Sequence, residues 1–150
     1  MEAEGRSAQI SGWGLTGKNG RRPSSFLQSK TISLQRCPDD SATRSTKNKH
    51  ILCSDDTLGG ACNGDSGGPL VSVSNDGLNT PVLIGIVSFG TGLSCFTGYT
   101  AYTQISQYLL WIQSNVLLYE LYDRLSSIQR RLPKPFRDSV AKISPIAALE

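Results

Sequence analysis

Several features that would assign a chain of this size to a common class are scarce or missing. The 150 residues include one histidine, and the four cysteines show no CxxC spacing. This composition argues against a zinc site, and we expect no metal and no cofactor. No apolar run is long enough to span a membrane, and the N-terminal residues contain no apolar segment typical of a signal peptide. Charged residues make up only 18%, the net charge is +3 and the basic residues are scattered. We therefore expect neither a nucleic acid nor a membrane as a partner.

The first two thirds of the chain consist of short β-prone runs separated by turn signals. In residues 27–35, Ile32 and Leu34 alternate with polar residues, as in a half-buried strand. An Asp-Gly dipeptide at residues 76–77 lies between two apolar runs and predicts a hairpin. Several short strands at this spacing indicate an all-β barrel or sandwich.

After Ser106 the apolar residues recur at helical spacing. Leu118, Leu121, Leu125 and Ile128 belong to this pattern, which continues to residue 132. Ser106 is a suitable N-cap, and the prolines at 133 and 135 end the pattern. The sequence therefore predicts a long helix followed by a loose tail over residues 136–150.

The stretch CNGDSGGPL, residues 62–70, is the strongest candidate for a chemical motif. A serine hydroxyl becomes a good nucleophile only when a base takes its proton, and the oxyanion that its attack creates needs fixed donors. Glycines on both sides of Ser66 allow the tight turns that present backbone N–H groups as such donors. The alternative interpretation is a glycine-rich turn between two strands with no chemistry.

The order of the surrounding motifs favours the first interpretation. The relevant segments are Gly12-Trp13-Gly14, residues 62–70, Ser88-Phe89-Gly90, the YTAYTQI run at 99–105 and a following helix that contains Trp111-Ile112. In this order they resemble the C-terminal half of chymotrypsin-like serine proteases over about residues 8–115. The resemblance implies the second barrel of that fold, a six-stranded antiparallel Greek-key barrel, followed by a C-terminal α-helix. Residues 1–7 are then expected to be a non-native or truncated N-terminus, and residues 116–150 an extra helix with a loose tail.

The same resemblance implies roles for individual residues. Ser66 corresponds to the nucleophile of a serine endopeptidase, and the backbone N–H groups of Gly64 and Ser66 to the oxyanion hole. Asp65 corresponds to the partner of an N-terminal amine that zymogen cleavage releases. Substrate-binding positions are Asn63 and the segment Ser88, Phe89 and Gly90, which binds the substrate backbone as an added strand.

The resemblance also implies a preference for the side chain that enters the primary specificity pocket. Gly60 lies at the base of that pocket, where it provides no charge, and Gly90 leaves the wall open. Thr100 is expected at the back and shortens the pocket. A polypeptide substrate with an apolar or small P1 side chain is therefore expected when an N-terminal barrel completes the protein.

The four cysteines allow three disulfide connectivities. The resemblance selects Cys37–Cys53 and Cys62–Cys95. Disulfides imply an oxidising compartment, so a secreted protein is expected even though no signal peptide is visible.

The histidine base and the aspartate that orients it belong to the N-terminal barrel in this family. The one histidine here, His50, is expected in a strand away from the nucleophile. We therefore expect the chain alone to be inactive. Two other hypotheses remain: a non-catalytic protease homologue that binds or regulates, and an interaction protein whose helix over residues 116–132 covers an apolar patch or self-associates.

Overall fold

A computed structural model of the chain describes residues 5–17, 22–39, 43, 50–73, 80–92, 95–131 and 133–136. The chain consists of two compact units, Met1–Gln107 and Tyr108–Glu150. The turn expected at residues 76–77 lies outside the described residues, as does nearly all of the expected loose tail.

Six antiparallel strands of the first unit close into a barrel. Their order around the barrel is β1-β2-β3-β6-β5-β4, and β4 pairs back with β1. This arrangement confirms the predicted all-β barrel. The strands are β1 (Ser7–Gly12), β2 (Gln28–Gln35), β3 (Ile51–Asp55), β4 (Pro69–Val73), β5 (Pro81–Thr91) and β6 (Tyr99–Gln104).

The alternation of apolar and polar residues determines which side chains fill the barrel. Ile32 and Leu34 of β2 are buried, whereas Thr31 and Ser33 between them are exposed, as the sequence pattern predicts. Leu70 of β4 and Tyr102 of β6 are fully buried in the same core. A Cβ added at Gly85 of β5 would lie 3.0 Å from the Leu70 side chain, so the glycine permits close packing here.

The second unit contains one long helix, α1 (Leu109–Arg131). It begins later than predicted, because a 3₁₀ turn over Ile105–Gln107 precedes it in the first unit. The Oγ of Ser106 accepts a hydrogen bond from the Gln104 side chain at 3.0 Å, so the N-cap prediction for Ser106 is wrong. Helix α1 continues without a break across the expected boundary at residue 116, and none of its side chains is buried. Among the described residues, no helix combines the length and the hydropathy that crossing a membrane requires.

Candidate functional site

Residues 62–68, which we call the serine loop, form two consecutive tight turns. The N–H of Asp65 donates to the carbonyl of Cys62 at 2.9 Å, and the N–H of Gly68 donates to the carbonyl of Asp65 at 2.9 Å. Gly64 and Gly67 have φ angles of 101° and 79°. Side-chain-bearing residues rarely adopt this region, so both turns require glycine.

The carboxylate of Asp65 connects the serine loop to the segment after β1. Its Oδ1 accepts from the N–H of Gly14 at 2.8 Å, and its Oδ2 accepts from the N–H of Cys62 at 3.0 Å. A Cβ at Gly12 or at Gly14 would overlap this carboxylate. The Gly12-Trp13-Gly14 motif and the serine motif are thus parts of one packing arrangement.

Further backbone hydrogen bonds attach the serine loop to its neighbours. The N–H of Gly67 donates to the carbonyl of Val87 in β5 at 3.0 Å, and the N–H of Val87 donates to Gly68 at 2.9 Å. The loop therefore lies along one strand and presents Ser66 to solvent. Within the described part of the chain, the N–H groups of Gly64 and Ser66 donate to no acceptor.

Two cavities lie beside the serine loop. The first, which we call the Ser66 cavity, has a volume of about 180 Å³ and brings together most of the substrate-binding residues predicted from the sequence. These are Asn63, Ser88, Phe89, Gly90 and Thr100, with Ser66 itself. The second cavity, of about 210 Å³, is lined by Asp65, Gly60 and Lys30 among others, and we call it the Asp65 cavity. Gly64 lines neither of them.

Two disulfides connect segments of the site and of the barrel. Cys62–Cys95 joins the serine loop to the segment before β6, and both cysteines line the Ser66 cavity. Cys37–Cys53 joins the segment after β2 to β3. These are the two pairs that the resemblance implies. The carbonyl of Cys95 also accepts from the N–H of Gly60 at 3.0 Å, which positions the residue expected at the base of the pocket.

The Ser66 cavity contains a carboxylate that the sequence analysis does not identify. Asp56 is only 2% exposed and lines this cavity. Its Oδ2 accepts from the hydroxyl of Thr100 at 2.6 Å, and its Oδ1 accepts from the hydroxyl of Ser54 at 3.1 Å. The Ser54 Oγ also shares a hydrogen bond of 3.0 Å with the Tyr102 hydroxyl. Asp56 is thus part of a buried polar network that includes Thr100.

Burial is the largest influence on the pKa values of Asp56 and Tyr102 in this network. It raises the pKa of Asp56 above its ordinary value, although hydrogen bonds from Thr100 and Ser54 oppose the shift. Burial also raises the pKa of Tyr102 to about 12. Among the described residues, no basic side chain lies within ion-pair distance of Asp56. The only sequence signal for Asp56 is the pair Asp55-Asp56 shortly before Gly59-Gly60, which reads equally well as a solvated turn.

The structure does not bring a histidine to Ser66. His50 immediately precedes β3, where its carbonyl accepts from the N–H of Gln104 at 2.9 Å, and it does not line the Ser66 cavity. Across the described ranges, no group of three or more histidine, cysteine, aspartate or glutamate side chains is arranged to hold a metal ion.

Comparisons with known proteins agree with this architecture. The sequence model of the family described as Trypsin matches residues 1–112. Coagulation factor XII of Sus scrofa is 36% identical over 119 residues, which cover 76% of this chain and 19% of the relative. Chymotrypsin-C of Bos taurus is 36% identical over 114 residues, 73% of this chain and 42% of the relative. Tissue-type plasminogen activator of Homo sapiens is 39% identical over 89 residues, 54% of this chain and 15% of the relative. The chain thus spans less than half the length of each of these relatives.

Proposed function

Because the chain belongs to the trypsin family of serine proteases, we propose that it carries the nucleophilic half of a serine endopeptidase site. Ser66 is the nucleophile that forms the acyl-enzyme. The observation that supports this role most directly is the geometry of the serine loop. Asp65 holds the loop through Gly14 and Cys62, so that Ser66 is exposed beside a cavity.

The chemistry proposed for the serine loop follows from its backbone N–H donors and from the exposure of Ser66 to solvent. The Ser66 Oγ attacks the scissile carbonyl carbon, and the negative charge moves to the carbonyl oxygen. The N–H groups of Gly64 and Ser66, which donate to no acceptor in the described residues, stabilise that oxygen. The peptide backbone pairs with Ser88–Gly90 as an additional antiparallel strand, next to Asn63.

Asp65 is proposed to receive an amine during activation. Both of its oxygens already accept a backbone N–H, but an ionised carboxylate has lone pairs for further donors. The Asp65 cavity, about 210 Å³ in volume, provides space next to the carboxylate for such a group. An ammonium there would hold the serine loop more firmly.

Hydrolysis also requires a base and a group to orient it, and we propose that both come from an N-terminal barrel. In proteases of this chemistry, loss of the triad members leaves only about 10³–10⁴-fold acceleration over the uncatalysed reaction. We therefore expect no useful proteolysis from the 150 residues by themselves.

A fluorophosphonate probe tests the assignment of Ser66. We expect no stoichiometric labelling of the 150-residue chain at neutral pH. When the chain is refolded with a histidine- and aspartate-bearing N-terminal barrel from a relative such as chymotrypsin-C, we expect labelling at Ser66, with Ser66→Ala as the control. Stoichiometric labelling of the chain alone would contradict the proposed need for a second barrel. A completed, folded protein that remains unlabelled would favour the non-catalytic homologue.

The expected preference for an apolar or small P1 side chain depends on an uncharged pocket base at Gly60. That preference stays a prediction for the completed protein, and the Asp56 carboxylate, which lies where a Cβ of residue 60 would be, is the described group that would oppose it. A polypeptide substrate remains the proposal. Secretion is proposed as well, because the two disulfides persist in an oxidising compartment.

Self-association through residues 116–132 is a separate proposal, supported by helix α1. Its apolar side chains are unburied, including Leu118 and Tyr119, which are 64% and 72% exposed. Leu118, Leu121, Leu125 and Ile128 recur at helical spacing and form a stripe that a second copy could cover.

A further inference from the structure

We propose that Asn63 is a site of spontaneous deamidation, in which the backbone nitrogen of Gly64 displaces the side-chain nitrogen, and that this reaction limits the lifetime of the Ser66 site. The reaction itself needs only Asn63, Gly64 and water, so it does not depend on the proposed function. Its consequence for Ser66 does rest on the proposed function, because the N–H of Gly64 is an oxyanion donor only if Ser66 is the nucleophile.

The Asn63-Gly64 dipeptide is accessible at the surface of the serine loop. Both residues are exposed, and the side chain of Asn63 forms no hydrogen bond to the described residues. The N–H of Gly64 likewise donates to no described acceptor. The attacking nitrogen and the side-chain carbon that it attacks are therefore adjacent in sequence and have no described hydrogen bond that competes with the reaction.

Two features of the backbone allow the Gly64 nitrogen to approach the side chain of Asn63. Gly64 has no Cβ to obstruct ring closure, and its φ of 101° lies in a region that is open mainly to glycine. The peptide group between the two residues is held by one described hydrogen bond, from the N–H of Leu15 to the carbonyl of Asn63 at 2.9 Å. Rotation of the peptide group into the reactive arrangement breaks only this bond, and water replaces it at the exposed loop.

The atoms of the reaction balance with water as the co-reactant. The Gly64 nitrogen loses its proton and forms a bond to Cγ of Asn63, while the bond between Cγ and Nδ2 breaks and Nδ2 leaves as ammonia with that proton. The product is a succinimide ring. Water then cleaves the ring at one of its two carbonyl carbons: cleavage at Cγ gives aspartate, and cleavage at the backbone carbonyl carbon gives isoaspartate.

Each species along this path weakens the proposed oxyanion hole. In the succinimide, the Gly64 nitrogen carries no hydrogen, and loss of one oxyanion donor costs about 10²–10³-fold in rate. Aspartate places a negative charge at a residue that lines the Ser66 cavity, directly before the Gly64 donor. Isoaspartate adds a methylene to the backbone of the turn that the N–H of Asp65 closes with the carbonyl of Cys62. A chemical change at residue 63 is thus coupled to the donors around Ser66.

Ageing of the unmodified 150-residue chain tests the reaction. The folded chain is incubated at neutral pH, and chromatography with mass spectrometry of chymotryptic peptides quantifies asparagine, aspartate and isoaspartate at each position. Asn115 is the internal control, because its side-chain nitrogen donates to the carbonyl of Trp111 at 2.8 Å inside helix α1. We expect Asn63 to convert at least about tenfold faster than Asn115, since reaction within the helix requires local unfolding. Equal rates at the two positions, or an Asn63 that stays intact, would overturn the proposal.

Asn63→Gln separates this chemistry from slow changes elsewhere in the chain. Its longer side chain has to close a six-membered ring, so the release of ammonia from residue 63 should fall by at least about tenfold. The Asn19-Gly20 dipeptide lies outside the described residues and is quantified in a separate peptide. In the unmodified chain the rate at Asn63 should rise with pH, because the attacking form of the Gly64 nitrogen is the deprotonated one. Equal rates at residue 63 in the two proteins would contradict attack by Gly64.

The consequence for Ser66 is measured on the completed protein, refolded with an N-terminal barrel. Its rate of fluorophosphonate labelling is determined before and after ageing, and each protein is compared with its own fresh sample. We expect the labelling of the unmodified sequence to fall in step with the loss of intact Asn63, and the labelling of Asn63→Gln to be retained. Labelling that persists after Asn63 has converted would refute the effect on the Ser66 site.

The two proposals fail separately. A fresh completed protein that is not labelled would refute the role of Ser66 and the consequence for its site, while the deamidation measured on the chain alone would stand. Conversely, labelling of Ser66 in a protein whose Asn63 converts no faster than Asn115 would support the nucleophile and refute the deamidation site.

Discussion

The carboxylate of Asp65 accepts a hydrogen bond of 2.8 Å from the backbone N–H of Gly14, across 51 positions of sequence. Its other oxygen accepts from the N–H of Cys62, within the serine loop itself. One side chain thus holds the turn that presents Ser66 and joins that turn to the end of β1. The position of the serine loop depends on this carboxylate more than on any packing of Ser66, which is exposed.

Asp65→Asn is expected to destabilise the barrel. The amide nitrogen that replaces one carboxylate oxygen cannot accept from an N–H, so either Gly14 or Cys62 loses its acceptor. We expect the free energy of unfolding to fall by about 1–3 kcal/mol, measured by urea denaturation. Asp55→Asn is the control, because Asp55 is exposed and the Asn retains an acceptor for the N–H of Thr57. Equal effects of the two variants would contradict a special role for the Asp65 contacts.

Gly14→Ala is expected to disturb the same contact from the opposite side. The added Cβ would lie 2.6 Å from the Cγ and from both oxygens of Asp65, so the carboxylate or the backbone must move. We expect a loss of about 1–3 kcal/mol in the free energy of unfolding. Gly90→Ala is the matched control, since its Cβ enters nearly open space, and it should be neutral or stabilising by up to about 1 kcal/mol. The prediction is wrong if the two alanine variants unfold at the same urea concentration.

The raised pKa of Asp56 predicts a pH dependence of stability with a definite sign. Burial disfavours the ionised form of Asp56 in the folded state. The stabilisation that this carboxyl contributes to folding is therefore fully present below pH 3.8, its ordinary pKa, and is lost as the pH rises through its higher folded-state pKa. We therefore compare the free energies of unfolding of the native chain and of Asp56→Asn. The value for the native chain minus the value for the variant should increase as the pH falls from neutral towards 3.8. Urea denaturation across this range measures the difference.

Two neighbours must be accounted for in that measurement. The charge of Asp55 contributes to the raised pKa of Asp56, whereas Tyr102 stays protonated because its own pKa is about 12. Asp55→Asn should therefore reduce the pH-dependent difference without abolishing it. A difference that is flat with pH, or that decreases as the pH falls, would show that burial does not govern Asp56.

Deletion of residues 116–150 tests the proposed self-association. If the apolar stripe of α1 pairs with a second copy, the deletion should shift the chain towards the monomer in sedimentation experiments at equal concentration. Leu118→Glu together with Leu125→Glu should have the same effect without shortening the chain, because both side chains are more than half exposed. Unchanged oligomeric state and solubility in both forms would refute the proposal.

Local sequence pattern was enough to predict much of the barrel. The alternation around Ile32 and Leu34 requires a strand with one buried face, and the structure contains that strand. The start of the long helix was not predictable in the same way. Ser106 has the chemistry of an N-cap, but its hydroxyl accepts from Gln104 and a 3₁₀ turn occupies its position. Capping propensity is local, whereas the choice between two turns depends on the segment that leads into them.

The serine loop and the buried carboxylate of Asp56 show what sequence alone determined and what needed the tertiary structure. The glycines at 64 and 67 specify the turns around Ser66, because positive φ angles exclude most other residues; this constraint acts within the loop and can be read from the sequence. The burial of the Asp56 carboxylate cannot be read from the residues next to it in the sequence. It depends on a turn closed at Gly59 and on a hydroxyl of Thr100, 44 residues further along the chain. The tertiary structure decided this feature, because the location of a buried carboxylate depends on backbone closure and on distant donors.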